Sequence, residues 1–205
     1  MTLTWYGHSC FRLDSAQGSV VFDPYEPEYV PGLALPEGLS ADAVICSHAH
    51  RDHNYAAGVA LTGRRPGFTV ERMETFHDDV HGAKRGRNTV SIVTAEGMRI
   101  VHMGDLGHML SAAQCDALSG AEAVMIPVGG YYTIDARTAA DIVRAIRPRV
   151  VIPMHYRGAG FGFDVLADVE EFIALADNVR RFDTNVLTLP QDGAPMTAVL
   201  RCPVK

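Results

Sequence analysis

Ser47-His48-Ala49-His50-Arg51-Asp52-His53 follows directly on the apolar run Ala43-Val44-Ile45-Cys46. Three histidines and one aspartate therefore leave what reads as a buried strand over 42–46. His48 and His50 are two apart, so in extended backbone they point to the same side. Asp52 and His53 come once the chain has begun to turn, and reach a second point nearby. The spacing suits two metal ions side by side better than one. Imidazole and carboxylate favour zinc, and also accept iron, manganese or nickel. The competing reading, a histidine-rich surface turn, weakens if further donors sit at other strand ends.

They do. Residues 68–76 alternate as a strand and deliver His77. Residues 89–94 and 98–103 pair as a hairpin through Glu96-Gly97 and deliver Asp105. Residues 149–153 form an apolar strand that delivers His155. Strand ends converge on one rim of a sheet, where layered α/β proteins place their sites. Further strands are expected over 2–7, 10–14, 19–23 and 122–127, with one or two short ones over 186–200. Helices are expected over 54–61, 111–118, from an Asp135 cap to Ala145, and over 164–176. Pro24 to Ser40 holds four prolines and reads as a long loop that covers either the site or a subunit contact. The early strands come in hairpins without helical crossovers, which favours a two-sheet sandwich with outer helices over a doubly wound sheet.

The 205 residues suit a single domain, with 47% hydrophobic and 20% charged residues. A net charge of −6 argues against nucleic acid as a partner. No apolar run is long enough to span a bilayer, and the N-terminus does not read as a secretory signal. Cys10, Cys46, Cys115 and Cys202 are scattered, which points to free thiols and a cytoplasmic location. An apolar patch on outer helices would be compatible with a homo-oligomer.

The order His48-x-His50-x-Asp52-His53, His77, Asp105, His155 resembles the metallo-β-lactamase-fold hydrolase superfamily. Gly7-His8-Ser9-Cys10-Phe11, Phe22-Asp23-Pro24, Gly104-Asp105-Leu106-Gly107-His108, Pro127-Val128-Gly129-Gly130 and Pro153-Met154-His155-Tyr156 look like its small single-domain branch. That branch includes L-ascorbate-6-phosphate lactonase-like proteins. The resemblance implies a four-layer αββα sandwich of the α/β class with the metals at one edge of the sheets. It also implies that His48, His50 and His77 bind a first metal, that Asp52, His53 and His155 bind a second, and that Asp105 bridges them. Flavodiiron relatives usually carry Glu at the position of His50, so His50 points to hydrolysis rather than redox chemistry.

Two divalent ions, Zn2+ first and Mn2+ or Fe2+ as substitutes, would polarise a bridging water and supply hydroxide near neutral pH. The expected reaction is attack on an ester, lactone or phosphodiester of a small anionic substrate, because such a site keeps a charge of about +1. Asp52 is the candidate to orient the nucleophile or take its proton. His108 is the candidate leaving-group acid, with His8 and Tyr156 as substitutes. Lys84-Arg85-Gly86-Arg87-Asn88 could meet a substrate anion. His81 reads as a loop histidine and His102 as structural. The alternatives are a phosphodiesterase or nuclease acting on nucleotides, a non-catalytic metal-binding protein, and a diiron redox protein.

Overall fold

The computed structural model describes residues 1–204. Fourteen strands run in chain order as β1 (Thr2–Trp5), β2 (Phe11–Ser15), β3 (Gly18–Phe22), β4 (Ser40–Ala41), β5 (Ala43–Ile45), β6 (Ala60–Leu61), β7 (Thr69–Phe76), β8 (Arg87–Ala95), β9 (Met98–His102), β10 (Ala123–Pro127), β11 (Val150–Met154), β12 (Val179–Arg181), β13 (Val186–Thr188) and β14 (Met196–Val199). The helices are α1 (Ala112–Leu118), α2 (Ala136–Ile146) and α3 (Glu170–Ile173).

Two sheets carry the fold. One has the order β13-β1-β2-β3-β5, the other β12-β14-β11-β10-β9-β8-β7, and β4 pairs with β6 in a small third sheet. Hairpin pairing of β1, β2 and β3 is antiparallel, as expected from strands joined by short turns. The run β9-β10-β11-β14-β12 is parallel, with α1 and α2 supplying crossovers. The expected αββα sandwich is present.

Alternation along β3 shows how the layers are stitched. Val20 and Phe22 enter the main core with Leu3, Trp5, Phe11 and Ile92, while Val21 faces the other way. There it packs with Cys10, Tyr25, Val30, Leu33 and Leu39 in a smaller core. A period of two thus serves two cores from one strand. The Pro-rich segment 24–40 is therefore largely the covering layer of the five-stranded sheet, and it also sends Tyr29 to the metal-site cavity.

On the other sheet, α2 places Ala139, Ile142 and Ile146 in the main core. Its start is capped by Asp135, whose side chain accepts the Thr138 N–H. At α1 the Ser111 hydroxyl and the Gln114 side chain form a reciprocal capping box.

Two expected helices shrink. Residues 54–61 give only a 3-10 turn over Ala56–Gly58, because β6 pairs in parallel with β4 immediately afterwards. Over 164–176 only the four residues of α3 are helical. The preceding backbone is used elsewhere: the Ala167 N–H donates to Gly129 O, and Ala167 O and Leu166 O accept from the Arg157 N–H and Nε. Those tertiary bonds anchor the segment under the His155 strand end and override its helical periodicity. The tail expected to give strands over 186–200 gives two that lie in different sheets, and β12 joins them unforeseen.

Candidate metal centre

Each expected donor sits where a strand ends. His48, His50, Asp52 and His53 follow β5, His77 follows β7, Asp105 lies three residues past β9, and His155 follows β11. β5 is the edge of one sheet, and β7, β9 and β11 belong to the other, so both sheets deliver donors to one rim. Close approach there needs glycine. A Cβ on Gly129 would lie 2.1 Å from His155 O, and one on Gly107 would lie 2.2 Å from Asp78 N. His8, Asp23 and His155 adopt left-handed φ values of 50°, 42° and 53°, uncommon for residues with a side chain and typical of constrained sites.

The donors form clusters whose atoms lie within 4.8 Å of one another: His48 with His50 and His77; His48 with His53 and Asp105; and His8 with Asp52, His53 and His155. Asp105 Oδ2 is the centre. It is 3.2 Å from both His53 Nε2 and His77 Nε2, 3.3 Å from His155 Nε2 and 3.9 Å from His48 Nε2. All seven residues expected as ligands are thus brought together.

An outer ring of hydrogen bonds orients them. His53 Nδ1 donates to Asp23 Oδ2 at 2.7 Å. Ser47 Oγ donates to the same oxygen at 2.6 Å, so it receives the His48 Nδ1–H at 2.9 Å. His48 and His53 are thereby left with Nε2 turned toward Asp105, the tautomer logic of metal-ligating histidines. Asn88 Oδ1 accepts the Asp105 N–H at 2.9 Å, and its Nδ2 donates to Met103 O and Thr75 Oγ1. His8 Nε2 donates to Asp52 Oδ2 at 3.2 Å, and the His8 carbonyl accepts from Trp5 Nε1 and the His155 N–H.

The electrostatics favour a bound cation. Burial holds His8 down to about 4, with the neighbouring His155 adding to the shift. Burial likewise holds His48 down to about 3. Both are therefore neutral at pH 7. For Asp105 burial opposes ionisation, but His155 and His53 outweigh it and hold the carboxyl well below its usual range. Asp52 is held down in the same sense by His8 and His53. His53 shows the reverse balance: burial disfavours its charge, yet Asp105 and Asp23 raise it. The buried polar atoms His53 Nε2, His77 Nδ1, Asp105 Oδ1 and both ring nitrogens of His155 have no hydrogen-bond partner among the described residues. Neutral His48 and His77 beside ionised buried carboxylates, with polar atoms left to satisfy, fit two divalent metals.

The donors open into a cavity of about 470 Å³ lined by His50, Asp52, His77 and Asp105 together with Tyr29, Arg51, Arg85, Tyr132 and Phe163. Another cavity, about 390 Å³ between α2, α3 and β14, holds none of the donors.

Matching residues 2–155 is the family model of the β-lactamase superfamily domain. The chain belongs to the metallo-β-lactamase superfamily. A UPF0173 metal-dependent hydrolase of Thermoplasma acidophilum is 28% identical, over 89% of this chain and 93% of its own. A Thermotoga maritima structure, described as zinc-dependent and of the metallo-β-lactamase superfamily, is 30% identical with a TM-score of 0.75, covering 98% of this chain and 99% of that one. A metallo hydrolase of Ignicoccus hospitalis shares the fold at 20% identity and a TM-score of 0.67, covering 100% and 96% of the two chains. These relatives support the superfamily, with UPF0173-like proteins as neighbours, and do not single out the ascorbate-6-phosphate lactonase branch. Superfamily fold and donor clusters together make this a metal-dependent hydrolase.

Other sequence candidates fall differently. His108 does not line the metal-site cavity; its Nε2 accepts the Phe76 N–H and its Nδ1 donates to Met109 O. Tyr156 is buried in the main core against Trp5. His102 is structural, stacked on Phe22 with both ring nitrogens bonded to backbone. His81 is exposed and touches Phe76 edge-on. Asp23 was missed as a site residue, although it follows β3 as the other donors follow their strands.

Proposed function

We propose that the chain is a dinuclear hydrolase acting on an ester, lactone or phosphodiester of a small anionic molecule. The observation that carries this reading is the meeting of four histidine Nε2 atoms around one carboxylate oxygen, Asp105 Oδ2, at 3.2–3.9 Å. His48, His50 and His77 would hold one ion; Asp52, His53 and His155 would hold the other, with Asp105 between them. Zn2+ suits this donor set, and Mn2+ or Fe2+ would be accepted by it. When bound, the two ions supply Lewis acidity and a water of lowered pKa.

The chain's own groups do the rest. Asp52 has Oδ2 held by His8 and keeps Oδ1 to orient the attacking water or take its proton at that oxygen. Asp23 locks the His53 ring, and through Ser47 the His48 ring, so the first donors need little reorganisation on binding. Tyr29, Tyr132 and Phe163 line the cavity, where their rings would displace water once a substrate is bound. No helix among the described residues is long and apolar enough to cross a membrane, and the four cysteines are free; both agree with work in the cytoplasm.

Metal analysis of protein reconstituted with zinc or manganese should give about two ions per chain. A panel of phosphodiesters, lactones and thioesters, run with each metal, should then show turnover. Two bound metals with no turnover on any class would favour the non-catalytic metal-binding alternative.

A further inference from the structure

The loop after His77 and the first residue of β8 carry three cations, Lys84, Arg85 and Arg87, which look equivalent as sequence. They differ in surroundings. Lys84 Nζ is paired with Asp79 at 3.2 Å, and Arg87 Nη1 faces Glu74 at 4.0 Å. Arg85 has no carboxylate within 4.0 Å among the described residues. Its Nη2 donates to Tyr131 O at 3.1 Å, and its guanidinium lies over the Tyr132 ring, 5.6 Å from the centroid. One other arginine lines the cavity. Arg51 lies over Tyr29 and gives both Nε and Nη2 to Glu26 Oε2, at 2.7 and 2.6 Å. Its charge is already matched, whereas four of the five N–H donors of the Arg85 guanidinium have no acceptor among the described residues.

Arg85 is also held in place. The buried Asp78 carboxylate accepts the N–H groups of Val80, Gly82, Lys84 and Arg85 at 2.7–3.0 Å. That cradle directly follows the ligand His77, so the loop bearing the guanidinium is registered on the metal centre. Preorganisation of this kind lowers the ordering cost of binding. Beside it, Phe163 makes edge contacts with Tyr132, Tyr29 and His8 at 6.2, 5.9 and 5.7 Å between ring centroids. Aromatic edges and faces at a cavity wall suit a flat apolar body.

Resting on the hydrolytic reading of this site, we propose that Arg85 is its anion-recognition residue and that the substrate joins an anionic group to a flat apolar body. The guanidinium fork takes the anion in a paired N–H contact, and Phe163 with its tyrosine neighbours takes the body.

Calorimetric titration of zinc-loaded protein with phenylphosphonate and methylphosphonate tests this. Zinc coordination is common to every variant, so the differences report Arg85 and Phe163. Wild-type protein binds phenylphosphonate more tightly than methylphosphonate. Arg85→Ala weakens both by about 10- to 100-fold. Arg85→Lys, which keeps the charge and loses the fork, falls between the two. Phe163→Ala weakens phenylphosphonate alone, and zinc content stays at the wild-type level in all variants. Affinity of Arg85→Ala within twofold of wild type overturns the anion assignment, as does failure of wild type to bind either phosphonate. Equal binding of the two phosphonates by wild type overturns the apolar part. Arg85-dependent binding in a protein that hydrolyses no ester supports the anion site while counting against the hydrolytic reading.

Discussion

The two ends of the donor constellation are built to different rules. His50 and His77 line the cavity with His48 behind them; His50 is exposed and its Nδ1 meets little beyond His48 Nε2 at 2.9 Å. His8, His53 and His155 are buried, with ring centroids 4.0–5.8 Å apart, and tied to Asp23, Asp52 and backbone. The exposed His50 leaves the shallow end open to the cavity. The deep end is constrained by the core, since the His155 N–H donates to His8 O and a Gly129 that admits no side chain abuts His155 O. A site can thus keep one half rigid through packing and leave the other accessible, because burial raises the cost of misplacing a polar group.

The most drastic way to break this contrast is Asp105→Ala, which removes the atom shared by both ends. Hydrolysis should disappear, and metal analysis should find fewer than two ions per chain; near wild-type turnover would place the chemistry elsewhere. A sharper comparison sets His155→Ala against His50→Ala. Both should lose activity, but only His155→Ala should also lower the melting temperature of metal-depleted protein, since it alone empties a buried position. Equal melting temperatures would erase the distinction between deep and shallow halves.

The smallest effect concerns pH. Burial holds His8 from 6.5 down to about 4 in the folded protein. A depressed folded value means that the unfolded chain binds the proton first, so this contribution to stability is full above pH 6.5 and lost as pH falls toward 4. Melting curves of metal-depleted protein over that window should therefore drop less steeply for His8→Asn than for wild type. Parallel slopes would show that His8 does not titrate with folding.

Much of the centre was legible because a strand end is a local event. An apolar run followed by His or Asp needs only neighbouring residues to recognise, and it located His48, His77, Asp105 and His155. The same rule applied to β3 finds Asp23, whose partner His53 lies 30 residues on. His108 shares a local stretch with Asp105, yet it bonds to Phe76 and Met109 and lines the neighbouring cavity beside Arg85 and Tyr132. The periodicity of 164–176 was helical, but hydrogen bonds to Arg157 and Gly129 claimed its backbone.

The sequence by itself determined most of the strand order, the helices α1 and α2, the candidate donors and the superfamily, because hydrophobic periodicity and residue type act over a few positions. Only the tertiary structure decided which Asp105 oxygen the histidines share, that segment 24–40 builds a second core, and that Arg85 alone among its neighbouring cations is unmatched. Those outcomes depend on residues far apart in the chain, and through-space distance, on which hydrogen bonds and charge pairing act, is set by packing.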